Sequence, residues 1–337
     1  MNKFTKMGVS ALCGSLAIAS AANAGSMSVA GSANATWTSL DGAVTGNPLG
    51  MTTGMTFTGS GELDNGNTFT VNIAHDDKNT YSASDISVVV AGIGTIALDQ
   101  GGGTGLDRLD DKMPTAWEEA DGTGVGAGLQ TVVGVGGQTD IEWAIDSSYL
   151  PDGMSAYISW SPVADGAKNN DKASSGATTD GLSTGSGYDL VFEHSGLADG
   201  LNIFAGYGEI EQPVVIGDRV TKVAGFTYAI GSVTVGYQKS KDDAPGVVGT
   251  TTSYYENDAY GISFAVNDNL SVSYGKHESV QQNDAENTEV SAESFQVAYS
   301  MGGATVKMAE TEVNNASYST AAGKDKEGRT IALTLAF

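Results

Sequence analysis

The sequence predicts an all-β chain closed into a 16-stranded antiparallel transmembrane β-barrel, and three observations lead to that expectation. Apolar residues recur at every second position in segment after segment, which is the period of a strand with two unlike faces. The connections between these segments alternate between short and long. Beyond the amino-terminal leader no stretch is apolar enough, for long enough, to be a membrane-spanning helix, so strands are the way this chain would cross a bilayer.

The chain opens with Lys3 and Lys6, an apolar run from Met7 to Ala22, and the small residues Ala22-Asn23-Ala24. This is the layout of a secretory signal, and residues 1–24 are read as one that is removed, leaving 25–337 as the barrel. Cys13, the single cysteine, lies inside the signal, and Leu12 before it argues against lipoprotein cleavage. The mature chain therefore has no thiol, disulfide or cysteine metal site. It carries 14 basic against 40 acidic groups, a net charge of −26, which excludes nucleic-acid binding because phosphate contacts need clustered Lys and Arg. Disorder is opposed by 13 Tyr, 9 Phe and 4 Trp and by abundant β-branched residues.

The alternation is clearest at the carboxyl end, where Ile331, Leu333, Leu335 and Phe337 interleave with Thr330, Ala332, Thr334 and Ala336. Similar runs place strands at 26–38, 53–63, 68–76, 84–92, 95–100, 139–148, 154–162, 187–194, 201–210, 219–229, 232–240, 253–265, 270–278, 290–300, 304–312 and 327–337. Connections after even-numbered strands are short, as at Asp64-Asn65-Gly66-Asn67, Ile230-Gly231 and Met301-Gly302-Gly303, while most others are long and polar. An even strand count with sorted connection lengths fits a barrel with tight periplasmic turns and long outer loops.

Taken with Gly61-Glu62-Leu63-Asp64-Asn65-Gly66 at the first turn and the terminal Phe337, this layout resembles the general, non-specific porins of Gram-negative bacteria, most of all their shorter alphaproteobacterial type. The resemblance covers the whole mature chain. It implies a homotrimer in the cell outer membrane, bounded by outer-membrane lipid, which passes ions and small hydrophilic solutes by diffusion. It also implies that Phe337 is the signal read by the barrel-assembly machinery.

The longest connection, about 101–138, follows the fifth strand, where the family carries a third loop folded into the lumen. Structureless loops of that length are uncommon unless functional or disordered. Asp107, Asp110, Asp111, Glu118, Glu119 and Asp121 crowd it. A solvated acidic loop is the plain reading of such a run, and its position after the fifth strand favours a pore constriction. Pro114 suits the first turn of a short helix that Thr115–Ala120 would extend and Gly122 would end.

With the apolar phase outward, Glu62, Asp76, Glu142, Asp146, Asp189 and Glu193 face the lumen as pore wall, and Lys307 is the one basic residue clearly inward. The family usually sets basic residues on its first strands opposite the acidic loop. Here the sole Lys or Arg between Gly25 and Gln100 is Lys78, in a loop. A narrow passage lined by one sign of charge concentrates counter-ions, so a cation-selective channel is expected. Asp242 and Asp243 are expected in an outer loop. On the outward face, Gly31, Ala33, Ala35, Gly59 and Gly61 are small enough for close subunit packing. Trp37, Trp160, Tyr207, Tyr237 and Tyr274 would form one interfacial girdle, and Phe69, Tyr228, Phe264, Tyr299 and Phe337 the other.

Other chemistries find little footing. No GxGxxG or GxxxxGK[ST] loop is present. His75, His194 and His277 fall on separate strands, are expected at strand ends, and show no spacing for a triad or a metal site. No cofactor is expected; the acidic loop leaves only Ca2+ open, without a D-x-[DN]-x-[DN]-G motif to hold it. The competing readings are a substrate-specific channel, a β-rich surface or adhesion protein, and an outer-membrane hydrolase, the last needing a catalytic His beside Ser or Asp. Extraction that requires detergent, rather than salt or chelator, separates a barrel from a surface layer.

Overall fold

The computed structural model describes residues 25–41, 47–77, 83–136, 139–164, 185–212, 217–243, 254–282 and 287–337; the expected signal lies outside them. Sixteen strands follow one another: β1 (Ser26–Asp41), β2 (Leu49–Glu62), β3 (Thr68–Asp76), β4 (Ala83–Val90), β5 (Gly94–Gln100), β6 (Thr139–Ile145), β7 (Met154–Ser161) and β8 (Gly187–His194). They continue as β9 (Leu201–Ile210), β10 (Arg219–Ile230), β11 (Val233–Asp243), β12 (Tyr254–Asn267), β13 (Leu270–Gln282), β14 (Thr288–Met301), β15 (Ala304–Asn314) and β16 (Lys326–Ala336). Each pairs antiparallel with its sequence neighbours, and β1 closes on β16 to complete the barrel. Closure leaves no unpaired edge, which a sheet in hydrocarbon requires.

The expected strands are all present; several run farther at their outer ends, while β4 and β6 stop short of their expected tight-turn ends, at Val90 and Ile145. β11 runs on to Asp243, so Asp242 and Asp243 lie on the wall and not in a loop as expected. Its last residues alternate Gln238, Ser240 and Asp242 inward with Lys239, Lys241 and Asp243 outward. Pairing continues there above the apolar band, where hydropathy no longer marks it. Connections after even strands are tight, as at Gly231-Ser232, where Gly231 takes a φ of +62° that a side chain would resist.

Within the apolar band the outward residues are exposed, including Ile331, Leu333 and Leu335. Aromatic residues meet across strands on this face: Trp160 is paired with Tyr188, Tyr237 with Tyr260, and Tyr274 with Phe295. The packed apolar core lies inside, between the third loop and the wall. Leu106, Leu109, Met113 and Val132 of the loop pack on Val191, Phe204, Val223 and Ala259 of β8, β9, β10 and β12.

The last residue takes part in the closure. Phe337 donates its amide to the Gly31 carbonyl at 3.0 Å and accepts the Gly31 amide at 2.8 Å. Its ring covers Gly31, where a Cβ would stand 2.5 Å from a ring carbon. Gly59, on the same outward face, has nothing within 4 Å of an added Cβ. Gly31→Val is expected to destabilise the closed barrel by about 1–3 kcal/mol, the usual cost of overpacking, while Gly59→Ala leaves it unchanged. The check is the temperature at which the folded band converts to the unfolded band in gel-shift assays.

Candidate functional site in the lumen

The third loop leaves β5 at Gly101 and is described to Gly136. At its root the Asp99 carboxylate accepts the amides of Gly101 and Gly102 at 3.1 and 2.8 Å. A 3-10 turn follows over Gly105–Leu109. The helix expected over Pro114–Ala120 is absent, because wall side chains take the hydrogen bonds that a helix would use. Ser273 Oγ accepts the Ala116 amide at 2.9 Å, and Gln296 Oε1 accepts those of Trp117 and Glu118 at 3.1 Å each. Gln296 Nε2 in turn donates to the Glu118 carbonyl at 2.6 Å.

Several expected pore-wall acids fasten this loop. Asp189, fully buried, accepts on Oδ2 the amides of Leu106 at 2.8 Å and Val135 at 2.9 Å, one from each limb of the loop. Glu142 accepts the Gly105 amide at 2.9 Å and the Ser159 hydroxyl at 3.1 Å, and it pairs with Arg108. Arg108 also lies 3.8 Å above the Tyr157 ring. Glu193 pairs with Lys112 at 3.1 Å. Hydrogen bonds to charged groups contribute about 1.5–3 kcal/mol each, so the set holds the loop firmly. Asp146 is not on the wall: it lies beyond the end of β6, where it accepts the Ser148 amide at 2.9 Å and caps a short turn. Glu62 and Asp76 keep the inward phase of β2 and β3, and Lys307 that of β15, with its Nζ 5.8 Å from the Trp117 ring.

The wall is shaped for the loop. Gly206, Gly236 and Gly261 face inward on β9, β11 and β12, and a Cβ at each would meet Leu106 at 2.3 Å, Pro114 at 2.5 Å and Pro114 at 2.8 Å. Farther along, the Thr123 and Thr311 hydroxyls lie 2.6 Å apart, and Lys326 donates to the Gly126 carbonyl at 2.6 Å. The loop thus lies along the inner face of β6 to β16 and reaches Leu40 near the end of β1.

The loop acids divide by task. Asp107 accepts the Gly103 amide at 2.6 Å, and Asp110 ties the limbs by accepting the Val132 amide at 3.1 Å. Burial, with the Asp107 charge nearby, raises the Asp110 pKa. Glu119 accepts the Met113 amide at 2.7 Å, and burial followed by the Asp121 charge pushes its carboxyl up to about 8. Asp111, Glu118 and Asp121 are half-buried. Asp121 Oδ1 stands 3.4 Å from His277 Nδ1.

Three features escaped the sequence reading. His277 is a buried residue of the β13 inner face that meets the loop acids, not a residue at a strand end. Arg219 faces inward as well as Lys307, and it pairs with Asp242 through Nε–Oδ1 at 2.9 Å. The third is a row of carboxylates in cross-strand register, Asp85, Asp99 and Asp140 on β4, β5 and β6. The alternating phase contains the signal for this row; the convergence on His277 has no local signal.

The comparisons with known proteins agree with this geometry. The Gram-negative porin family matches residues 8–316. The solved structure of the outer-membrane protein OmpT of Vibrio cholerae superposes with a TM-score of 0.68 at 11% identity, covering 95% of this chain and 100% of that one. The anion-selective porin of Comamonas acidovorans superposes at 0.66 and 14% identity, over 93% and 100% of the chains. Salmonella typhi OmpF, in complex with daunomycin, does so at 0.68 and 13%, over 93% and 98%. No curated protein matches the chain in sequence. At such identities the structural likeness establishes the fold, and the family match establishes kinship: the chain belongs to the Gram-negative porins, proteins of the outer membrane.

Proposed function

We propose that the chain is a passive, cation-selective channel for ions and small hydrophilic solutes, working as a homotrimer. The observation that carries the selectivity is the one-sided charge of the lumen. On the loop side the inward-reaching Arg108, Lys112 and Arg219 are each paired with a wall carboxylate, Glu142, Glu193 and Asp242. On the facing side the inward phase of β1–β3 carries no Lys or Arg among the described residues: it holds neutral groups such as Asn34, Thr36, Thr56, Thr58 and Asn72, with Glu62 and Asp76 at the ends of β2 and β3. Asp85 and Asp99 continue that wall on β4 and β5. The anion-selective Comamonas porin shares the fold, so the barrel alone does not set the sign of selectivity and side chains must. The hydrolytic reading needs a catalytic His beside Ser or Asp, and His277 does stand 3.4 Å from Asp121; the channel reading is preferred because the family match is to porins.

Reversal potentials under a KCl gradient test this reading. A cationic sign is expected, shrinking as salt rises, because the Debye length falls to about 3 Å near 1 M. Asp111→Asn with Glu118→Gln should reduce the cation preference, and Asp243→Asn on the outer face should not. A potential of zero or of anionic sign in the native channel would defeat the reading.

The homotrimer reading rests on the outward face of β1, β2 and β16. Gly31 and Gly61 are levelled by the Phe337 and Phe69 rings, and Gly59 is left open. Because a Cβ added at Gly59 meets nothing within 4 Å in its own chain, Gly59→Trp is the variant chosen to probe assembly. Loss of the oligomer in native gels with a folded monomer retained is the expected result. An intact trimer would move the interface elsewhere.

A further inference from the structure

We propose that Glu119, Asp121 and His277 form a site for a divalent transition-metal cation of the Zn2+ kind, which clasps the third loop to β13. One ligand atom from each residue lies within 4.8 Å of the other two. The groups come from two separate elements. His277 projects from the inner face of β13 and is 5% exposed. Glu119 and Asp121 belong to the loop segment that crosses that strand, where a Cβ on Gly275 would meet that of Ala120 at 3.8 Å.

Their surroundings favour a cation. Glu119 is held in place by accepting the Met113 amide at 2.7 Å, which leaves its second oxygen to turn toward the imidazole. The 3.4 Å between Asp121 Oδ1 and His277 Nδ1 is longer than a firm N–H···O bond, which runs about 2.7–3.2 Å. Asp110 adds a further negative charge near Glu119. The neighbouring base, Lys276, points outward from β13 and pairs with Glu278 at 2.8 Å and Glu293 at 2.9 Å. A small pocket of ≈ 10 Å³, lined by Glu119 and His277 among others, adjoins the cluster. That is about the room one water-sized body takes.

The donor set points to the class of ion. Carboxylates alone would suit Ca2+ or Mg2+, whereas an imidazole nitrogen suits zinc and its neighbours. Zinc bonds to nitrogen and carboxylate oxygen at about 2.0–2.2 Å, so the three side chains would draw in slightly, leaving one position for water or solute. Binding would place positive charge beside the loop and weaken the passage of cations.

Titration calorimetry with Zn2+, and separately with Mg2+, on the folded, chelator-stripped protein in detergent tests the site. Saturable, stoichiometric Zn2+ binding is expected, with no comparable Mg2+ binding. His277→Ala and Asp121→Asn should each weaken it at least about tenfold, the loss that even outer-shell changes bring at metal sites. His277→Gln, checked as folded by its gel shift, serves if His277→Ala fails to assemble. Zn2+ should also lower the single-channel current of the native protein more than that of His277→Gln. No saturable Zn2+ binding, binding unchanged in the His277 variants, equal Mg2+ binding, or loss through His75→Ala or His194→Ala instead would overturn the proposal.

Discussion

One carboxylate sets the shape of the pore. Asp189 stands on the inner face of β8 and receives on a single oxygen the amides of Leu106 and Val135, the outgoing and returning limbs of the third loop. A buried charge needs such partners, since an unpaired carboxylate away from water is costly. The loop amides need an acceptor for the same reason. Each group therefore constrains the other, and the loop root is drawn against the wall. From there Leu106 and Leu109 pack on Val191 and Phe204, and inward glycines let Pro114 pass close to β11 and β12.

This arrangement changes what the acidic composition does. Glu142, Asp189, Glu193 and Asp242 are spent on loop amides or on Arg108, Lys112 and Arg219. The chain's surplus of acid is thus not displayed wholesale to passing ions. Neutralised pairs hold the scaffold, and the electrostatic character of the lumen falls to the half-buried carboxylates of the loop and the row on β4 and β5. The inner wall carries acids on β2 to β6, from Glu62 and Asp76 to Asp85, Asp99 and Asp140, while Arg108, Lys112 and Arg219 are each held by a carboxylate.

The barrel was legible in the sequence because the bilayer imposes it locally. Ile331, Leu333 and Leu335 must face outward, so a two-residue period is written into every strand, and Asp64-Asn65-Gly66-Asn67 marks a turn without reference to the rest of the chain. The site was legible only as far as inward phase. Alternation put Glu142, Asp189 and Glu193 inside, yet nothing local says whether an inward acid faces water or an amide 83 residues away, as Asp189 does. The same limit explains the missing helix at Pro114–Ala120, whose amides found Ser273 and Gln296 across the lumen. It also explains His277, whose neighbours arrive from the loop. Asp146 failed for a simpler reason: the strand ends one residue before it, and phase carries no information past the last paired residue.

The central claim is that the third loop is seated on the inner wall of the barrel. The Cβ of Ala120 and a Cβ built on Gly275 are 3.8 Å apart, which is the separation a disulfide prefers. With Cys13 the chain's only cysteine, inside the expected signal, the pair Ala120→Cys and Gly275→Cys gives a clean cross-link. Mild oxidation of the folded double variant should form that bond within each chain and leave the single-channel conductance unchanged. Failure of the bond to form, or a bond that closes or widens the channel, would contradict the account.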